Sequence, residues 1–194
     1  MSDKTVSWLE AYYNRIQSDA TLAFGRRDNI TNWSYTILAA AIAAYIGFFG
    51  IGTSVIPLGR FGLMAGVLFV LIRFFFQSMI AYGYFIRARY LRTRIEQYWM
   101  DNNPTLDQIK QDIKDYDHGK TIPDTGRNRF MGQVRSGFVL ILAIPTIPLA
   151  IEFYLMGQNV TWQYFLILGG LVIYVIYECV NFITYDQMKS LSKK

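Results

Sequence analysis

One cysteine, Cys179, and one histidine, His118, are all that 194 residues supply of the side chains that build disulfides, thiolate chemistry and most zinc sites. The lone cysteine excludes a disulfide scaffold, and the lone histidine leaves little room for a His-driven catalytic or metal-rich centre. No phosphate loop, dinucleotide fingerprint, nucleophile elbow or zinc motif occurs. No enzyme class and no cofactor therefore has a foothold in the sequence. Asp115, Asp117 and His118 fit a solvated turn better than a metal site. Asn29, Asn32 and Asn159 open glycosylation triplets by chance, two on a side predicted cytoplasmic and one against the membrane. Charge is also scarce, at 17% of residues, while 53% are hydrophobic and 16% aromatic, with a mean hydropathy of +0.20. These proportions exclude disorder and are too apolar for an ordinary soluble domain.

What is present is long apolar runs. A helix crossing a bilayer core about 30 Å thick needs about 20 largely apolar residues. Four stretches meet that length: Trp33 to Thr53, Phe61 to Ile86, Phe138 to Met156 and Trp162 to Tyr185. The first begins too late and runs too long for a cleavable signal peptide. The fold class predicted is an all-α integral membrane protein, with four transmembrane helices in two hairpins and amphipathic cytoplasmic helices. Its segments are an N-terminal amphipathic helix (1–32), a first hairpin (33–86), a basic helical linker (87–137), a second hairpin (138–185) and a basic tail (186–194).

Charge sets the orientation. Of 19 basic residues, 17 fall before the first span, between the second and third, or after the fourth; Arg60 lies in a short loop and Arg73 inside a span. The positive-inside rule then puts both termini and the linker in the cytoplasm, and the protein in an inner or plasma membrane. Trp33, Tyr35, Tyr84 and Tyr185 mark the inner interface, and Tyr154, Trp162 and Tyr164 the outer one, where amphipathic rings collect.

Each hairpin follows an amphipathic stretch. Ser7 and Glu10 have capping-box spacing ahead of Leu9, Tyr13, Ile16, Ala20 and Phe24. Asn103 or Thr105 is placed to cap a second helix, with Pro104 in its first turn and Leu106, Ile109, Ile113 and Tyr116 as its stripe, up to Gly119. The second helix carries Asp107, Asp112, Asp115 and Asp117, and an interfacial binder would be basic. It is expected to pack on protein: the other helix or a cytoplasmic partner. The run from Arg87 to Tyr98 contains no glycine or proline, so the second span is predicted to continue into the cytoplasm. Arg87, Arg89, Arg92 and Arg94, with Arg127, Arg129 and Arg135, are positioned for anionic lipid headgroups rather than nucleic acid.

Three formal charges fall inside spans, where each is costly unless paired or hydrated. Arg73 shares a helix face with Gln77 and Tyr84; Glu178 shares one with Tyr174, Asn181 and Tyr185. Arg73, Gln77, Tyr174, Glu178 and Asn181 together form a candidate polar seam. It either lines a route for ions or small solutes, acts as a proton-sensitive switch, or is a paired contact that fixes helix register. Glu152, nearer the outer end, reads as a snorkelling carboxylate. Ala39, Ala43 and Gly47, and Gly62 with Gly66, are spaced for close helix packing. Pro145 and Pro148 are expected to kink the third span, and Cys179, within apolar surroundings, to be unreactive.

Trp8, Tyr12, Tyr13, Arg15, Arg26 and Arg27 ahead of the first span give residues 5–53 a layout that resembles the SLATT-type small membrane effectors of prokaryotic defence and signalling systems. The resemblance implies a non-enzymatic homo-oligomer that perturbs the membrane when a partner signals. The expectation is an oligomeric membrane effector or pore-like component controlled through its cytoplasmic helices. An anchoring or assembly subunit of a larger membrane complex is the alternative.

Overall fold

The computed structural model describes residues 3–48, 56–100, 105–117, 137–156 and 161–191. Their elements are all helical: α1 (Asp3–Gly47), α2 (Ile56–Trp99), α3 (Leu106–Asp117), α4 (Phe138–Met156) and α5 (Trp162–Leu191).

α1 is one helix of 45 residues, where a separate amphipathic helix followed by a span was expected. Ser7 lies inside it, so the Ser7–Glu10 pair does not start a helix. The reason for continuity is a seam that never breaks. Leu9, Ile16, Ala23, Ile30 and Ile37 recur every seven residues, and Tyr13, Ala20, Arg27, Ser34 and Ala41 follow each by four; all are buried or half-buried. A seven-residue repeat keeps one stripe facing one partner helix. That partner is α2, which runs antiparallel: Tyr13 meets Glu96, Phe24 meets Phe85 and Arg27 meets Tyr82. The two polar members of the seam are accommodated locally. The Ser34 hydroxyl donates to the Ile30 carbonyl at 2.8 Å, and the Arg27 guanidinium lies 5.1 Å from the Tyr82 ring centroid, a favourable cation–π geometry.

α2 extends without a break to Trp99, as its lack of interior proline and late glycine predicts. It is the central post: α1 packs along its length, α4 and α5 lean on its apolar half, and α3 on its last turns. Among the described residues, α4 and α5 meet each other little, as at the Phe153–Phe165 ring contact of 6.2 Å, and both pack chiefly on α2.

Two cores result. The apolar layer joins Leu38 and Ala41 of α1, Phe61, Met64, Leu68 and Leu71 of α2, Phe138, Ile141 and Leu149 of α4, and Tyr164 of α5. The basal layer joins Leu9 and Ile16 of α1, Ala88, Leu91 and Ile95 of α2, and Ile109 and Ile113 of α3. The amphipathic stretches thus pack on protein within the chain. α3 starts on Thr105, whose backbone N–H donates to Gln108 Oε1 at 3.0 Å while Thr105 Oγ1 accepts from the Gln108 N–H at 3.4 Å. That reciprocal exchange satisfies two donors at the helix start. Asn103, Pro104 and Gly119 lie outside the described residues.

Among the described residues three helices, α2, α4 and α5, contain stretches long and apolar enough to cross a membrane; four were expected. The expected first span, Trp33 to Thr53, runs past the described part of α1, so its described portion is too short to qualify alone. α4 runs through both Pro145 and Pro148 without interruption, and Gly137 enters it with φ 74°, a conformation that favours glycine. Within the described chain, Ala39, Ala43 and Gly47 are exposed, and a Cβ at Gly62 or Gly66 would meet nothing within 4 Å.

Candidate functional site

The apolar layer buries two carboxylates, and α2 supplies a guanidinium to each. Glu178 of α5 is 3% exposed. Arg73 Nη1 lies 2.8 Å from both of its oxygens, and the Tyr174 hydroxyl, one turn earlier on α5, donates to the same carboxylate. The Tyr174 ring stacks on Phe69 of α2 at 3.5 Å, so an aromatic contact beside the ion pair fixes the approach of α5. Arg73 itself is not enclosed: its side chain is 48% exposed.

Glu152 of α4 is also 3% exposed, which corrects the expectation of a snorkelling carboxylate. Arg60 Nε sits 2.7 Å from Oε1 as an ion contact off the N–H axis, and Nη2 donates to Oε2 at 3.3 Å. The Tyr45 hydroxyl of α1 donates to Oε1 at 2.8 Å. Tyr164, expected at the level of the outer interface, is buried against protein with its ring edge-on to Phe61 at 4.9 Å. α1, α2 and α4 thus converge on one carboxylate, with Tyr164 of α5 packed beside it. The snorkelling expectation fails because Arg60, one turn into α2, reaches inward and supplies the countercharge that water would otherwise have to provide.

Of the predicted seam, Arg73, Tyr174 and Glu178 are brought together. Gln77 and Asn181 are half-buried on the same faces, and neither takes part in the clamp. Sequence reasoning missed Arg60 and Tyr45. The signal was there: Arg60 and Glu152 both lie within a few residues of the same end of their spans, as a pair must. Among the predicted headgroup residues, Arg87 is 6% exposed and enclosed by protein. Arg94 is bound to Asp112 at 3.1 Å and Arg92 to Glu96 at 3.2 Å, while Arg89 is exposed. Arg127, Arg129 and Arg135 lie outside the described residues, as does His118.

The basal layer is tied by tyrosines and carboxylates. The Tyr12 hydroxyl donates to Asp117, which Arg15 also approaches at 3.6 Å. The Tyr116 hydroxyl donates to Asp19 at 3.2 Å, and the Tyr13 hydroxyl to Glu96 at 2.7 Å. Burial, followed by the hydrogen bond to Asp117, raises the Tyr12 phenol above its ordinary value. Burial and then the charge of Asp19 do the same to Tyr116. For Tyr13 the hydrogen bond to Glu96 comes first and burial second. Among the described residues no group of His, Cys, Asp and Glu is arranged to hold a metal ion. The chain matches no family model, no curated protein and no solved structure.

Two outcomes follow from the clamps. Replacing Glu152 or Arg60 alone by Leu strands a buried charge, and the loss of folded stability in detergent is expected to be about 3–5 kcal/mol. The double replacement is expected to cost less than the sum of the singles, and less than either if the cavity repacks; a double-mutant cycle with additive losses refutes the pairing. The same cycle at Arg73 and Glu178 is expected to show a smaller coupling, because half of the arginine is open.

The raised phenols give the basal layer an alkaline limit. A phenol whose folded value exceeds its unfolded value of about 10 stabilises the fold fully below that pH and loses the contribution as pH rises through the folded value. Hydrogen-exchange protection of α3 is expected to hold up to about pH 10 and fall above it. Tyr12→Phe with Tyr116→Phe is expected to flatten that fall, and an unchanged profile in the double variant counts against these contacts.

Proposed function

We propose that the chain is a non-enzymatic multi-pass membrane protein of an inner or plasma membrane, an oligomeric effector or pore-like component worked through its cytoplasmic helices. In this reading α2, α4 and α5 cross the bilayer together with the stretch of α1 that starts at Trp33, and both termini lie in the cytoplasm. The observation that carries it is the continuity of α1 and α2 through both layers, over 45 and 44 residues. A helix hydrogen-bonded without a break transmits a shift at one end to the other, so a partner that moves the basal layer moves the helices that carry Tyr45, Arg60 and Arg73. The half-open Arg73 supports assembly with further copies. A guanidinium at that depth is costly against lipid, and a second subunit or a hydrated interior between subunits relieves it. Exposed Arg89 meets anionic headgroups.

The second reading, an anchoring or assembly subunit, is favoured by Glu152. That carboxylate is enclosed on all sides by Arg60 and Tyr45, as a contact that only fixes register requires.

Two measurements separate the readings. Liposomes containing the purified protein are expected to pass ions once the basal layer is loosened, for example by Ile95→Asp, and native mass spectrometry in detergent is expected to show more than one copy per particle. Tight liposomes for the wild type and every basal-layer variant, with a single copy per particle, leave the anchoring reading alone.

A further inference from the structure

The basal halves of α1 and α2 form a groove whose floor is Leu9, Ile16, Leu91 and Ile95, each at most 1% exposed. α3 fills it. Only Ile109 and Ile113, one turn apart on α3, are buried there. The rims present Arg15 on α1 to Asp117 and Arg94 on α2 to Asp112, while Asp19 on α1 accepts from the Tyr116 hydroxyl. α3 is therefore an acidic amphipathic helix seated in an apolar groove whose rim answers two of its carboxylates with arginines and its tyrosine with Asp19, and its pattern is spelled out by two aliphatic anchors flanked by carboxylates.

We infer that this groove is a receptor for an acidic amphipathic helix of a partner protein, and that α3 is its displaceable occupant within the chain. With 12 residues, α3 is about as short as a helix can be and still hold together alone in water, so its fold depends on its seat. The apolar floor cannot be left bare in water. α3 thus leaves by exchange, and the floor and rims together select what replaces it: aliphatic side chains four residues apart, with negative charge to either side. A basic helix is rejected by Arg15 and Arg94, and a purely apolar one leaves both guanidiniums without the countercharges they have now. This is recognition of a helix by a groove, with the resident helix as the template for the ligand. It does not depend on whether ions pass through the protein.

The probe is a fluorescently labelled peptide of residues 105–117, added to the full-length protein in detergent micelles and followed by anisotropy. Ile109→Asp with Ile113→Asp unseats the chain's own α3, and this variant is expected to bind the peptide at least tenfold more tightly than the wild type. Adding Arg15→Glu and Arg94→Glu is expected to remove at least tenfold of that affinity. A second arm keeps α3 intact. In a Cys179→Ser background, Tyr12→Cys with Asp117→Cys, bridged by a bis-methanethiosulfonate reagent long enough to replace the lost phenol, locks α3 to α1, and peptide binding is expected to vanish on bridging and return on reduction. Peptide binding that is absent from both the unseated variant and the reduced double-cysteine variant overturns the inference. So does binding that persists when Asp112 and Asp117 of the peptide are replaced by Lys, which marks association with the micelle rather than the groove.

Discussion

A carboxylate in an apolar layer must have a cation, and in this protein both cations come from one helix. Arg60 and Arg73 lie 13 residues apart on α2, about 20 Å along its axis, and each fastens a different helix: α4 through Glu152 and α5 through Glu178. The pairs gain little net energy over apolar packing, because desolvation offsets most of the attraction. What they provide is exclusion of alternatives. Sliding α4 or α5 by one turn against α2 leaves a carboxylate and a guanidinium apart in a medium that cannot solvate them. The apolar layer has many ways to pack leucines and phenylalanines, and the two ion pairs select one.

The pairs differ in a way that matters for function. At Glu152 the tyrosine comes from α1, so three helices close on the carboxylate. At Glu178 the tyrosine comes from α5 itself, no third helix among the described residues closes over the pair, and Arg73 stays half open. One end of the apolar layer is thus sealed by its own chain while the level of Arg73 is not. The basal layer is built on another principle, with an apolar floor shared by three helices and a rim of hydroxyl-to-carboxylate and ion contacts. Such rim contacts are individually weak and easily exchanged.

Much of this was legible in the sequence, and the failures have physical causes. The run Arg87–Tyr98 gave the extension of α2 because nothing in it stops a helix, and Thr105, one of the two candidate caps, gave the start of α3, though its exchange with Gln108 was not foreseen. The stripe of Ile109 and Ile113 gave its buried face. The join between the two halves of α1 was missed because Arg26 to Asn32 is polar enough to look like a boundary. In the fold that polarity faces outward, or, for Arg27, is covered by Tyr82, while Ile30 and Ser34 carry the seam through. Arg60 was missed because it was counted with a loop, whereas α2 begins at Ile56 and so places it inside a helix, facing Glu152. The pairing of Arg73 with Glu178 was within reach because depth along two helices can be counted. Which tyrosine completes each clamp was not, since that depends on how the helices are rotated.

The claim beneath all of this is that α2 is the post to which the other apolar helices are fixed within a single chain. Cysteine cross-linking in native membranes tests it most directly, using Phe61→Cys with Tyr164→Cys in a Cys179→Ser background and a bis-methanethiosulfonate reagent long enough to span the two lost rings. These side chains meet edge-on at 4.9 Å, next to the Arg60–Glu152 clamp. A cross-link formed rapidly within one chain is the expected result. Cross-links found only between chains, or none at all, would contradict the arrangement.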